Sequence, residues 1–322
     1  MILKSNIDIK KAANRTRNIL WKVFRGLLLT GFCFAILYPL LIMLSKTFMS
    51  LDDIMDNSVL FFPKNFSTVF LETSVKQLDY WNSLRNSIML SAFSMAAQTF
   101  VSCFVGYGFA RFSFPFKKIM FAVVIVTIVI PPQLIMVPLY LLFQYFDPLG
   151  LITLFTGNSV NLLNSFTPFV LLSLTGQGLR NGLFIFLFRQ FFTNMPKEIE
   201  EAAIVDGAGI FQTFFRVFIP NVVTPIVTVA LFSFVWQYND TIYSGLFLKT
   251  LKVLPMMYRN LYGIAQMEFG GITITNIDVR LPFIVAGLKA SGVLLMLAPV
   301  IALYAAGNRF FVQSIERTGI VG

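Results

Sequence analysis

Long runs of apolar residues constrain this chain more than any other feature of its sequence. Of its 322 residues, 57% are hydrophobic and only 12% are charged, which is typical of a membrane protein rather than a soluble domain. A helix needs about 20 apolar residues to cross the hydrocarbon of a bilayer. Six stretches reach or approach that length: residues 26–45, 86–110, 119–146, 166–188, 217–239 and 281–307. The sequence therefore predicts an all-α integral membrane protein with six transmembrane helices.

The distribution of Lys and Arg predicts the orientation of these helices. Seven basic residues lie in the first 25 positions, and Arg111, Lys117 and Lys118 follow the second stretch, whereas residues 147–167 contain none. Short loops rich in Lys and Arg stay in the cytoplasm. We therefore predict cytoplasmic N and C termini, with this division of the chain: a basic segment 1–25, a retained first helix 26–45, an extracytoplasmic loop 46–81, a core 82–307 and a cytoplasmic tail 308–322.

Several function classes are disfavoured by what the sequence lacks. It contains no His, no phosphate-binding G-x-x-x-x-G-K-[ST] loop, and only two cysteines, Cys33 and Cys103, both inside candidate spans. Its basic residues fall between apolar runs rather than on one solvated face, which argues against nucleic-acid binding. None of the six stretches contains Asp or Glu, as a secondary transporter driven by a coupling ion would require. We predict no metal, no bound cofactor and no catalytic residue in this chain.

The segment EEAAIVDGAGIFQTFFRVFIP, residues 200–220, interrupts this apolar pattern. Within a predicted cytoplasmic loop 194–220, it has the features of a short helix, a glycine turn and a second helix. We expect Asn194 to cap the first helix, Pro196 to lie in its first turn, and Gly207 to end it in the left-handed conformation. Pro220 begins the next span. One helical face is predicted to carry mainly small residues that another protein can approach closely: Ile199, Ala202, Ala203 and Asp206.

The spacing of this segment resembles the EAA motif of ABC-importer permeases, E-A-A-x3-G-x9-I-x-L-P. Here it consists of Glu201-Ala202-Ala203, then Gly207, then Val217-Phe218-Ile219-Pro220, with Val and Ile replacing Ile and Leu. The stretches YGFARFSFPFKK, IPPQLIMVPLYLLF, FVWQYND and NRFFVQSIERTG extend the resemblance to permeases of the maltose-permease type over about residues 82–322. The Asp-Gly of the motif and the Asn-Asp after the fifth span favour the carbohydrate branch of that family.

The resemblance implies a type I ABC-importer permease fold and a set of partners. These are a sister permease, two cytoplasmic ATPase subunits that use ATP, an extracytoplasmic solute-binding protein and a sugar substrate. It also implies roles for residues of the motif: Glu201 would pair with a basic residue of the ATPase, Ala202 and Ala203 would permit close contact, and Gly207 would set the angle between the two helices. Asp206 and Pro220 complete the ATPase-coupling set.

A second group of residues is a candidate for the substrate pathway. The glycine-rich break in the fourth stretch and the polar end of the fifth supply most of it: Gln177, Arg180, Asn181, Trp236, Tyr238, Asn239, Asp240 and, from the sixth stretch, Lys289. Two interpretations remain open. Arg180 and Lys289 either face a water-filled cavity and attract an anionic sugar, or they reach the membrane surface, with Arg180 paired to Asp240 and the substrate neutral. Pro131, Pro132 and Pro138 are expected to kink the third span.

Three other functions remain as alternatives. An ABC permease for a peptide or another non-sugar solute would share the coupling motif. A secondary transporter is disfavoured by the absence of acidic residues in the spans. An integral-membrane enzyme fits least, because no paired carboxylates occur in the spans and no nucleophile has a candidate base beside it.

Overall fold

The computed structural model describes the backbone of residues 2–269 and 277–318, and the side chains of residues 17–261, 263 and 281–307. Within these ranges the chain forms helices, turns and two isolated bridges but no β-strand, which confirms the all-α prediction. The helices are α1 (Ile2–Thr47), α2 (Leu51–Met55), α3 (Val69–Gln77), α4 (Tyr80–Arg111), α5 (Lys117–Val129), α6 (Met136–Gln144), α7 (Leu151–Thr156), α8 (Thr167–Leu174), α9 (Asn181–Asn194), α10 (Glu198–Val205), α11 (Ile210–Thr213), α12 (Ile219–Asn221), α13 (Val223–Tyr238), α14 (Ile242–Phe247), α15 (Leu254–Phe269) and α16 (Ile277–Thr318). A π-helical turn, Phe214–Phe218, joins α11 to α12.

Three helices in the described part of the chain are long and apolar enough to cross a membrane without interruption: Arg17–Thr47 of α1, Tyr80–Arg111, and Leu281–Gly307 of α16. Two further candidates are bent pairs. Helix α5 and the segment Pro132–Gln144 meet at 102°, and the segment Ile210–Asn221 and α13 meet at 80°. The predicted kink in the third span is confirmed at Pro131 and Pro132, because proline cannot donate the backbone bond that would continue a helix.

The fourth predicted span, residues 166–188, is divided into two shorter helices. Helix α8 has eight residues and ends at Leu174, and α9 begins at Asn181. Between them, Gly176 and Arg180 have φ values of +74° and +63°. Helical hydrogen bonding cannot continue through such conformations, so residues 175–180 form a loop at this position.

Two compact units emerge from the packing, and the first comprises residues 1–74 and 265–294. Its core brings together Met49, Ile54, Phe70, Leu281 and Leu288. Ser74 and Ser291 share a hydrogen bond of 2.5 Å inside this unit. Helix α1 contributes little to the core, since no side chain from residue 17 to residue 44 is buried.

The second unit comprises residues 75–264 and 295–322 and contains the candidate site. Its centre is an aromatic cluster on α4, α9 and the π-helical turn: Tyr107, Phe184, Phe188, Phe192, Phe214 and Phe218. Gly106 permits the close approach of α4 to α9, because a Cβ at this position would lie 2.6 Å from Cβ of Phe188. Inside a bilayer such contacts stabilise by van der Waals packing rather than by transfer from water.

Candidate functional site

The predicted helix, glycine turn and second helix of the coupling segment (residues 195–220) are all present. Helix α10 begins at Glu198, and the N–H groups of Glu200 and Glu201 donate to the Lys197 carbonyl at 2.9 and 3.0 Å. Three acidic residues lie in its first turn, where the helix dipole favours negative charge. The expected cap by Asn194 is wrong, because α9 continues through that residue, and Pro196 precedes α10 rather than lying inside it.

Gly207 ends α10 as predicted. Its φ of +78° lies in the left-handed region, and its N–H donates to the Ile204 carbonyl at 3.0 Å. The next N–H, that of Ala208, donates to the Ala203 carbonyl at 2.9 Å. These two bonds form a Schellman motif, which satisfies carbonyls at the end of a helix and reverses the chain. The turn therefore fixes the direction in which α11 leaves α10.

The exposed face of α10 differs from the predicted one. Ala203 is buried at 7% exposure, whereas Ala202 points outward. Val205 is 85% exposed and Ile204 61% exposed, although both are apolar. We name the outward surface the coupling face, and it consists of Glu201, Ala202, Ile204, Val205 and Asp206. The predicted contact surface of Ile199, Ala202, Ala203 and Asp206 is thus corrected, since Ala203 packs inward.

Arg111, the last residue of α4, holds the coupling segment from inside the protein. Its Nη1 lies 3.4 Å from Oε2 of Glu200, and its Nη2 donates to the Met195 carbonyl at 2.8 Å. Its guanidinium also lies 5.0 Å from the centroid of the Phe218 ring. The Arg111 side chain is only 5% exposed. One guanidinium therefore joins α4 to both ends of the coupling segment.

Sequence reasoning used Arg111 only as evidence for orientation and missed this role. The available signal was a single Arg directly after a charge-free stretch, combined with an acidic loop elsewhere in the chain. That signal does not specify which of Glu198, Glu200 and Glu201 is the partner. The structure selects Glu200, which is partly buried, and leaves Glu201 exposed on the coupling face.

Among the predicted pathway residues, the structure brings Arg180 and Trp236 together. The Arg180 guanidinium lies 5.5 Å from the Trp236 ring, which stacks in turn on Phe184 and Phe232 at 5.4 and 5.6 Å between centroids. Gln177 is exposed on the neighbouring loop. Asn181 is 2% exposed, and within the described residues its amide atoms have no hydrogen-bond partner.

The residues at the end of α13 have structural contacts. Tyr238 is buried and donates its hydroxyl to the Met296 carbonyl at 3.3 Å, and exposed Asn239 donates to the Val235 carbonyl at 2.9 Å. Asp240 is 5% exposed and accepts the backbone N–H groups at the start of α14, those of Ile242, Tyr243 and Ser244, at 3.0, 3.2 and 2.7 Å.

These contacts decide one of the open interpretations. The Asp240 carboxylate caps α14, and the Arg180 guanidinium lies on Trp236, so the predicted pairing of Arg180 with Asp240 is wrong. Lys289 is exposed and belongs to the first unit, whereas the other pathway candidates belong to the second. In the part of the chain that the structure describes, no group of His, Cys, Asp or Glu could hold a metal ion.

Comparison with known proteins identifies the family. Residues 98–317, about two thirds of the chain, match the family described as the inner membrane component of binding-protein-dependent transport systems. This chain belongs to that family. It is a permease subunit of an ABC transporter and a multi-pass protein of the cell membrane, and the resemblance first seen in residues 200–220 is confirmed.

Relatives of this permease carry names from carbohydrate transport. It is 27% identical to the probable ABC transporter permease YurM of Bacillus subtilis, with 89% of this chain and 85% of the relative covered. It is 24% identical to the arabinooligosaccharide permease AraQ of Halalkalibacterium halodurans (93% and 98% covered), and 24% identical to the melibiose, raffinose and stachyose permease MelC of Bacillus subtilis (81% and 83% covered).

A solved structure supports the fold of the permease. The crystal structure of a bacterial ABC transporter that imports the acidic polysaccharide alginate matches with a TM-score of 0.66 at 18% identity, covering 91% of this chain and 96% of that one. The predicted importer-permease fold is therefore confirmed.

Proposed function

We propose that this permease is one of two membrane subunits of an ATP-driven importer that moves an oligosaccharide across the cell membrane. A sister permease completes the pathway, two cytoplasmic ATPase subunits hydrolyse ATP, and an extracytoplasmic binding protein delivers the sugar. The names of AraQ and MelC, which specify arabinooligosaccharides and melibiose, raffinose and stachyose, support the sugar class.

The observation that carries the coupling proposal is the coupling face of α10. A helix surface with Val205 and Ile204 exposed between Glu201 and Asp206 has the mixed apolar and acidic character of a protein contact. A carboxylate there pairs well with an Arg or Lys of the ATPase. Movement of α10 would reach α4 through Arg111, because its guanidinium contacts Met195, Glu200 and Phe218 at once.

The substrate pathway is proposed to include Arg180, Gln177 and Trp236. A Trp ring and a guanidinium side by side offer a flat apolar face and several hydrogen-bond donors, which together suit a sugar. Asn181 supplies a buried amide beneath them. Tyr238, Asn239 and Asp240 support the surrounding helices, and Lys289 is left without a role in this group.

Uptake by a reconstituted transporter tests this function. We expect the complete complex to accumulate labelled raffinose or arabino-oligosaccharides only with ATP and the binding protein present. Glu201→Lys should abolish accumulation and co-purification of the ATPase, whereas Gln212→Lys, on exposed α11, should change neither. Accumulation of oligopeptides instead of sugars would favour the non-sugar alternative, and normal uptake by Glu201→Lys would refute the coupling role.

Orientation is tested by cysteine labelling in a background of Cys33→Ser and Cys103→Ser. Ser159 and Gln212 are both exposed, so a cysteine at either position is accessible to reagent from its own side. We expect an impermeant maleimide added outside intact cells to label position 159 and not position 212. The reverse pattern would contradict a cytoplasmic coupling segment.

A further inference from the structure

A cavity of about 620 Å³ lies between α14, α15 and the bend before α6, away from the coupling segment. Polar side chains enter it from all three elements: Gln133, Thr241, Asn260 and Arg259. Met136 and Met256 supply part of its apolar wall. A few converging polar groups on an apolar wall are typical of small-molecule sites of this volume.

Arg259 brings the formal charge to this cavity. It is exposed, and among the described residues no carboxylate lies within 4 Å of its guanidinium. Gly245 keeps the space beside it open, because a Cβ there would lie 3.7 Å from Nη1 of Arg259 and 3.5 Å from Cε of Met256. The planar guanidinium is therefore available for a ligand that accepts two parallel hydrogen bonds.

Two buried contacts hold the cavity walls in place. Asp240 accepts three backbone N–H groups of α14, which orients Thr241 and Gly245, and its charge is used in that cap. At the start of α15, the Leu254 N–H donates to Oγ of buried Ser87 on α4 at 2.8 Å. Polar groups presented on fixed walls bind with a smaller loss of conformational freedom.

We propose that this cavity is a subsite for a sugar unit that carries a carboxylate. Arg259 binds the carboxylate through two hydrogen bonds, Asn260, Gln133 and Thr241 bind hydroxyls, and Met136 and Met256 contact the apolar face of the ring. An inorganic anion would use the guanidinium but neither the neutral polar groups nor the thioethers. The subsite rests on the proposed sugar import and adds acidic sugars as its class of substrate.

The same geometry moves the basis of anionic recognition. Arg180 and Lys289 were the sequence candidates for it, but the Arg180 guanidinium already lies on an aromatic ring, and Lys289 belongs to the other unit. Arg259 lies outside all six predicted spans, so the search for charges at membrane depth passed over it.

Protection of a cysteine tests the subsite without transport. The purified transporter complex, without the binding protein, carries Thr241→Cys in the background of Cys33→Ser and Cys103→Ser. Its rate of modification by a neutral maleimide is measured with digalacturonate or with the methyl diester of the same disaccharide. We expect millimolar digalacturonate to slow labelling at least tenfold, and the uncharged ester to slow it less than twofold.

Variants assign the effect to the guanidinium. Arg259→Gln should remove the protection, Arg259→Lys should retain part of it, and Gly245→Leu should remove it by filling the cavity. Arg85→Gln, an exposed Arg of α4 that does not line the cavity, should keep full protection. Equal effects of acid and ester, protection that survives Arg259→Gln, absence of any protection, or failure of Arg259→Gln to assemble would each overturn the proposal. None of these results depends on whether neutral sugars are imported, so sugar import is judged separately.

Discussion

The coupling segment and the cavity beside α14 are built over very different distances along the chain. In the coupling segment, the turn joins residues four or five positions apart, Ile204 to Gly207 and Ala203 to Ala208. The cavity joins Gln133 to Thr241 and Arg259, which are more than one hundred positions from it. The comparison teaches that a local turn is encoded in the spacing of a few letters, whereas a cavity depends on the packing of the whole unit.

The largest expected effect concerns Gly207. Gly207→Pro cannot adopt a φ of +78°, because the proline ring fixes φ near −65°, and it also loses the N–H that donates to Ile204. We expect sugar uptake to fall to background while the protein remains in the membrane. Gly207→Ala should be impaired less, since a left-handed alanine costs about 1–2 kcal/mol.

Gly209→Ala is the matched control for this substitution. Gly209 also has open space where a Cβ would be added, but its φ is −71°, which any residue adopts. It should transport at the parental rate. Equal losses at positions 207 and 209 would show that the segment is sensitive to any side chain, and that the local turn is not what matters.

A smaller effect is expected from Arg111, the one long-range contact of the coupling segment. Arg111→Glu places a carboxylate beside Glu200 and leaves the Met195 carbonyl without its donor, and breaking a buried ion pair costs about 3–5 kcal/mol. The double variant Arg111→Glu with Glu200→Arg should recover part of the uptake, because it restores opposite charges.

Arg216→Glu provides the control, since Arg216 is exposed on the π-helical turn. It should leave uptake unchanged. If the double variant transports no better than Arg111→Glu alone, the ion pair is not what joins α4 to the coupling segment.

The cap on α14 is expected to have a moderate effect. Asp240→Ala removes the acceptor of three backbone N–H groups, and loss of such a cap costs about 1–2 kcal/mol. Thermal unfolding of the purified complex should show a Tm lower than that of the parent, with Asp240→Asn intermediate. Asn239→Ala, at an exposed neighbour, should match the parent. An unchanged Tm in Asp240→Ala would mean that the wall of the cavity does not need its cap.

The smallest effect concerns the exposed ion pair between Asp79 and Lys252, 3.0 Å apart at the starts of α4 and α15. Hydrogen bonds from Lys252 and then Asn82 hold the pKa of Asp79 below its ordinary value of 3.8. The resulting stabilisation is present above that value and is lost as the pH falls below it. Lys252→Met should therefore lower the Tm slightly at pH 7 and not at pH 3, because exposed pairs contribute at most about 1 kcal/mol. A difference that persists at pH 3 would assign it to packing.

The accuracy of sequence reasoning follows the same contrast. The apolar runs predicted the helices, Pro131 and Pro132 predicted the bend, and Gly207 predicted the turn, because each depends on neighbouring residues. The outward face of α10 was misassigned, since which alanine is buried depends on how α10 packs in the second unit. Asp240 was misassigned for a similar reason: a carboxylate two residues before a short helix can cap it or pair with a distant cation, and only the fold decides. Arg111 and Arg259 went unnoticed because their surroundings come from remote parts of the chain.

The π-helical turn Phe214–Phe218 gives the length of the coupling segment a meaning for its evolution. Nine residues separate Gly207 from Val217, and the wide turn lies across the end of that interval. A π turn accommodates one residue more than an α-helical turn does. Deleting one residue here would rotate Phe218 by about 100°, away from Tyr107 at 4.9 Å and from Arg111. Over generations, this segment can therefore exchange many of its letters, but it cannot gain or lose one without detaching the coupling face from the core.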